Sequence, residues 1–240
     1  MTHVLGIDTS SIVATIAIIN EEKLLAEYIV NNKKTHSEKM MGVIDNVLAD
    51  SGVELKDIDV VAVAKGPGSF TGIRIGMACA QGLAHALKKP MIGVNTLDGL
   101  AYNLIGTGDL VCPMMDAQRQ EVYTSLYRWE EGTLQRLWDY RLIKVDKLVR
   151  ELLALNEKVI TLGDGLPLLK RSLDVNNKDT NQNIVFAHQV LSMPRASSIA
   201  ATGLNEYTLG RTEDYFSIKP FYIRKSNAEE KWEERHGGKS

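Results

Sequence analysis

Apolar, largely β-branched residues crowd three runs at the start of the chain, 4–9, 12–19 and 24–30, separated only by Ser10-Ser11 and by Asn20-Glu21-Glu22-Lys23. Connections this short join antiparallel neighbours, so the chain is predicted to open as a three-stranded meander. The hydrophobic period then changes. Met40, Met41, Ile44, Val47 and Leu48 recur at helical spacing behind Thr35-His36-Ser37-Glu38, a capping-box pattern, and Gly52 supplies a stop. Residues 60–64 are short and apolar throughout, as in a strand buried on both faces, and lead through Lys65-Gly66-Pro67-Gly68-Ser69-Phe70-Thr71-Gly72 into a helix reaching about residue 87. A similar strand at 91–94 and a helix that Thr96 can cap complete a βββαβαβα order, with a boundary at Gly106-Thr107-Gly108-Asp109.

The remainder repeats that order in architecture, not in letters. Strands are predicted at 110–115, 122–128 and 133–143, a helix at 146–155, a strand at 158–162, a helix after Gly163-Asp164-Gly165, a strand at 184–186 and a helix at 196–205. Two tandem α/β domains follow, 1–106 and 107–225. Residues 176–183 form a polar loop, and 226–240 a charged tail with four acidic and three basic residues.

Composition narrows the function classes. The chain has 240 residues, 44% hydrophobic and 24% charged, ample for a core without disulfides. Net charge is −2, and it is evenly spread: residues 1–106 hold 9 basic and 11 acidic residues, the remainder 19 of each. No basic field exists to capture nucleic acid unaided. Cys79 and Cys112 lack metal-ligand spacing and read as reduced thiols. No basic leader and no apolar run of about 18 residues is present, so a cytoplasmic protein without membrane contact is expected.

Two turns invite an anion. In Gly6-Ile7-Asp8-Thr9-Ser10-Ser11 a strand ends in a tight turn carrying one carboxylate and several hydroxyls, which suits a phosphate or its cation. The Gly66–Gly72 turn aims backbone amides from the positive end of a helix dipole, although it matches neither the Walker pattern nor GxGxxG. Asp116-Ala117-Gln118-Arg119-Gln120-Glu121 repeats the hairpin idea across a prospective cleft, and Gly163 and Gly165 could admit a nucleotide close to backbone. Candidate nucleotide or phosphate contacts are therefore Asp8, Thr9, Ser10, Gly66, Gly68, Ser69, Asp116, Gly163 and Gly165; packing turns explain the same letters.

Gly72, Gly76, Ala80 and Ala84 recur every four residues, a stripe that lets another backbone approach. The chain's own sheet or a second subunit fits there. With His36, Met40, Met41 and Ile44 the stripe forms the candidate partner interface. His36 has Met40, not histidine, four residues on, and neither HExxH nor GxSxG occurs, so no metal site and no catalytic residue is assigned.

The paired βββαβαβα plan resembles the actin, hexokinase and Hsp70-like ATPase superfamily with its two ribonuclease-H-like domains. Gly6-Ile7-Asp8-Thr9-Ser10, the block from Lys65 to Gly76, Asp116-Ala117-x-Arg119-x-Glu121-Val122-Tyr123 and Pro220-x-Tyr222-x-Arg224 together resemble the TsaB (YeaZ) family over almost the whole chain. That resemblance implies a non-catalytic paralogue of the threonylcarbamoyl transferase TsaD. It would pair with TsaD, engage the ATPase TsaE and serve tRNA within the complex; without that partner a homodimer through the same patch is expected, because an isologous contact can reuse one apolar face. Metal would sit in the partner; this chain would need no cofactor and at most bind ATP or ADP weakly. An ATP-dependent small-molecule kinase of the same superfamily is the alternative, using Asp8 and the Gly66–Gly72 turn. A metallopeptidase is disfavoured by the missing second histidine.

Overall fold

A computed structural model describes residues 1–31, 36–176 and 183–224, except the side chains of 36–39 and 174–176. Thr35 and the other capping-box side chains, residues 177–182 of the polar loop, and the tail fall outside the described residues. Strands β1 (Val4–Asp8), β2 (Val13–Ile19) and β3 (Leu24–Asn31) form the predicted antiparallel meander, and β4 (Val60–Gly66) and β5 (Met91–Asn95) add in parallel, in the order β3-β2-β1-β4-β5. One face carries Leu5, Ile7, Ile16, Ile18, Val61 and Val63. Helices α1 (His36–Ser51) and α2 (Phe70–Leu87) cover it, burying Met40, Ile44, Val47, Met77, Ala80 and Ala84.

The second sheet follows the same scheme. β6 (Leu110–Asp116), β7 (Glu121–Thr124), β10 (Arg141–Lys144), β11 (Val159–Leu162) and β12 (Ile184–Phe186) lie in the order β10-β7-β6-β11-β12, and α4 (Val145–Ala154) and α5 (Leu166–Asn176) cover one face. The predicted strands 122–128 and 133–143 are each broken. β8 (Tyr127–Glu130) and β9 (Thr133–Arg136) form a separate hairpin beside β6. The break is polar: the Ser125 hydroxyl donates to the Trp138 carbonyl at 2.6 Å, the Leu137 amide to the Leu126 carbonyl at 2.7 Å, and the Thr124 hydroxyl to the Pro113 carbonyl at 2.8 Å. Backbone groups leaving the ladder are thereby satisfied.

The domain boundary also needs correction, because residues 107–225 do not form one unit. Helix α6 (Ala196–Thr208) returns to the inner face of the first sheet, where Ile199 and Ala200 pack on Val4, Ile19, Val60 and Val94. A Cβ on Gly6 would strike the Ala196 carbonyl, and one on Gly203 would strike Ala62, so two glycines set this closeness. Met91 and Glu213 then exchange a backbone bridge. The second lobe proper is 110–186. Helix α3 (Thr96–Tyr102) lies between the lobes, with Leu97 and Leu100 in one cluster with Val111, Met115, Tyr127 and Leu162.

Candidate functional site

The lobes enclose a cleft at the ends of β1, β4 and β6. Asp8 closes β1 with 1% exposure; the Ser10 amide and hydroxyl donate to its Oδ1 at 2.8 and 2.6 Å. Burial pushes the Asp8 carboxyl up to about 6, against the pull of both Ser10 bonds. The Thr9 hydroxyl donates to the Gly72 carbonyl at 2.7 Å, and the Ser69 amide to the Ser10 carbonyl at 2.6 Å. A Cβ on Gly68 would meet the Ser10 carbonyl, one on Gly72 the Thr9 carbonyl, and one on Gly76 the Thr9 hydroxyl. These glycines serve the approach of α2 to the β1–β2 turn. The side chain of Ser69, the N-cap of α2, accepts from the Gly72 amide at 3.2 Å.

A strap of residues 218–224 crosses the cleft mouth. The Phe221 amide donates to the Lys65 carbonyl at 2.7 Å, and the Phe221 carbonyl occupies the space over Gly66. Tyr222 stacks on Phe70 at 4.2 Å between centroids, and Arg74 lies 4.1 Å over Phe70 while its Nε donates to the Tyr222 hydroxyl at 3.1 Å. On the opposite wall the Asp116 amide donates to Asp164 Oδ1 at 2.8 Å, and the Gln118 amide to Asp116 Oδ1 at 2.7 Å. Although Asp164 touches the cleft, desolvation pushes its carboxyl up to about 6.

The cavity measures about 900 Å³. Of the predicted anion contacts, Ser10, Gly68, Ser69 and Asp116 line it. Asp8, Thr9, Gly66, Gly163 and Gly165 are not among its lining residues. Gly163 and Gly165 are packing residues: a Cβ on the first would strike the Met114 carbonyl, and one on the second would crowd Met114 and Val122. Asp164, Phe70, Arg74 and the strap residues were missed as site residues, although Pro220-x-Tyr222-x-Arg224 stood out as a motif.

The predicted partner interface is corrected more sharply. Met40, Ile44, Gly72, Gly76, Ala80 and Ala84 are all buried inside the protomer, because the four-residue stripe packs on the chain's own sheet and turn. Only Met41 is exposed, at 51%; the His36 side chain lies outside the described residues. The open face of these helices carries Met41 and Gly42 on α1 and Ala78, Gly82 and Ala86 on α2, with Cys79 half-buried between them. Cys79 Sγ lies 3.9 Å from Met41 Sδ, and a Cβ on Gly42 or Gly82 would meet nothing.

A polar cluster behind the cleft had no sequence signal. Asp98 on α3 accepts from the Tyr127 hydroxyl at 2.6 Å and the Tyr140 hydroxyl at 2.7 Å, joining the lobes; burial raises its carboxyl, and the two hydroxyls lower it. Among the described residues no group of three or more His, Cys, Asp or Glu could hold a metal ion, and no helix is long and apolar enough to cross a membrane.

A family model described as "TsaD: tRNA N6-adenosine threonylcarbamoyltransferase" matches residues 23–232. The Bacillus subtilis "tRNA threonylcarbamoyladenosine biosynthesis protein TsaB" is 34% identical over 229 residues, covering 95% of this chain and 97% of the relative. This chain belongs to the TsaB (YeaZ) family. The Escherichia coli TsaB is 27% identical over 229 residues, 94% of this chain and 96% of its own. The solved YeaZ structure from Pseudomonas aeruginosa shares the fold, with a TM-score of 0.79 at 22% identity over 92% of this chain and 100% of that one. Of the block from Lys65 to Gly76, Pro67–Thr71 and Arg74 line the cleft.

Proposed function

We propose that this chain serves tRNA threonylcarbamoyladenosine biosynthesis as a non-catalytic subunit that pairs with TsaD through the outer face of α1 and α2. The observation that carries the reading is that face: Met41, Gly42, Ala78, Gly82 and Ala86 are exposed on adjoining helices, and two of them leave open space for an incoming backbone. Small residues permit close helix packing, and an exposed methionine adapts to the opposing surface. TsaE joins the assembled pair, and an isolated copy uses the same face to form a homodimer.

Support for assembly over chemistry comes from the cleft. The amides of Ser10 and Ser69, which the phosphate reading would aim at an anion, donate within the protein, and Asp8 is held by Ser10. On this reading the chain needs no cofactor, and metal and adenylate binding fall to TsaD. With a net charge of −2, it releases few counterions on RNA, so most tRNA phosphate contacts come from partners.

The test mixes the purified chain with TsaD of the same organism and follows complex formation by size exclusion and calorimetry. Met41→Glu and Gly82→Leu are each expected to weaken pairing at least tenfold while leaving the melting temperature within a few degrees. Full pairing by both folded variants rejects the face.

A further inference from the structure

Among the described residues two chain crossings join the lobes, residues 103–109 and 187–195. Asn103 ties them together: its Nδ2 donates to the Leu191 and Met193 carbonyls at 2.9 and 2.8 Å, and its Oδ1 accepts from the Ser198 hydroxyl at 2.7 Å. Helix α3 begins at the end of β5 and finishes beside these crossings, with apolar contacts to both lobes. Connected on this side alone, two rigid sheets could swing about α3 and open the cleft.

The strap makes a third connection at the mouth. Its backbone belongs to the first lobe. Gln81 Nε2 donates to the Tyr215 and Ile218 carbonyls at 2.9 and 3.3 Å, Ile218 is buried in the first core, and Phe221 and Tyr222 dock on Lys65, Phe70 and Arg74. Arg224 then crosses to the second lobe. Its Nη1 donates to the Ala117 carbonyl at 2.8 Å, and its Nη2 pairs with the Glu121 carboxylate.

These two acceptors bracket an unusual turn. Gln118, Arg119 and Gln120 have φ of 63°, 54° and 60°, three successive left-handed residues without glycine. Such a run is unfavourable for L-residues and persists where its surroundings over-determine it. The turn is closed by the Ala117 amide on the Glu121 carbonyl and the Glu121 amide on the Gln118 carbonyl, and Arg224 grips both ends. The Arg224 and Glu121 side chains are only 17% and 22% exposed, so solvent screens this pair less than an open surface bridge. From the second lobe, Tyr140 also meets the Phe221 ring at 5.6 Å.

We propose that Arg224 is an interlobe clasp: by joining the first-lobe strap to both ends of the 117–121 turn, it holds the cleft shut, and its release opens the cleft and loosens the turn. The device does not rest on the subunit reading above. It assigns the Pro220-x-Tyr222-x-Arg224 motif a mechanical role that packing of the strap on one lobe alone would not give.

Hydrogen exchange of the full chain, followed by mass spectrometry, tests the clasp. Arg224→Gln and Glu121→Gln are each expected to accelerate exchange at least tenfold in segments 66–74 and 116–124, while α4 and β11 keep their wild-type rates. Arg224→Lys, which retains the charge but not the two-pronged grip, should fall between. Lys158→Gln, which breaks an ion pair with Asp109 elsewhere, should change neither cleft segment. Rates within twofold of wild type in both cleft segments of Arg224→Gln and Glu121→Gln would overturn the clasp. So would acceleration spread equally over both lobes, which marks general destabilisation.

Discussion

The two faces of α2 carry the same kind of residue at the same spacing and meet opposite environments. On the inner face Gly72, Gly76, Ala80 and Ala84 press on the chain's own β1–β2 turn and sheet, and a Cβ at either glycine would collide with Thr9. On the outer face Ala78, Gly82 and Ala86 are exposed, and Gly82 has free space beside it. A small residue every fourth position says that something can come close to the helix. What comes close is set by how the helix is mounted, here by the Ser69 cap and the hydrogen bond that the Ser69 amide donates to the Ser10 carbonyl.

The largest effect should follow from filling the inner face. Gly76→Leu is expected to lower the melting temperature by more than 10 °C or prevent folding, since overpacking of a well-filled core costs several kcal/mol. Gly76→Ala should be milder and partly rescued by Thr9→Ala, which removes the hydroxyl a new Cβ would strike. Thermal melts of the two single variants and the double variant read this coupling. An additive double variant would break the contrast between the faces.

The turn under the inner face should also show itself in the pH dependence of stability. The folded-state pKa of Asp8 is raised from 3.8 to about 6, so between roughly pH 4 and 6 the native state holds a proton that the unfolded chain has released. This group's contribution is fully present below pH 4 and is lost as pH rises through 6. Asp8→Asn, whose Oδ1 can still accept from Ser10, should flatten that fall and raise stability at pH 7 by about 1–3 kcal/mol. Urea unfolding at pH 4, 5, 6 and 7 measures both; a slope unchanged from wild type contradicts the buried, desolvated Asp8.

The smallest effect sharpens the comparison by its sign. Gly82→Ala on the outer face should stabilise the helix by about 0.5–1 kcal/mol, because alanine loses less backbone freedom there and its methyl group has room. The same substitution at Gly76 should destabilise. Chemical denaturation of the two variants decides whether the faces differ as described.

The first lobe was legible in the sequence almost element by element, because its strands alternate with helices whose hydrophobic periods differ and its connections are short. The meeting of Ser10, Gly68, Ser69 and Asp116 in one cleft was legible as well, since each lies on a turn at the end of a strand in one of the two repeated units. The second lobe was read less well. The runs 122–128 and 133–143 carry apolar residues along their whole length, and only the hydrogen bonds of Ser125, Leu126 and Leu137 show where strands leave the ladder. Helix α6 is rich in alanine, serine and threonine and has an apolar face that either sheet could accept, so its sequence does not reveal its return to the first.

The sequence by itself determined the periods, the turn residues and the family motifs, because these depend on neighbours within a few residues along the chain. The tertiary structure alone decided which small-residue stripe is filled, where α6 docks, how Asp98 finds two tyrosines and how Arg224 spans the cleft. Those pairings join residues from 29 positions apart, Asp98 and Tyr127, to 190 apart, Gly6 and Ala196, and they form only once elements distant in sequence have packed together. Local preference carries no information about that orientation; the burial of shared surface between the lobes supplies it.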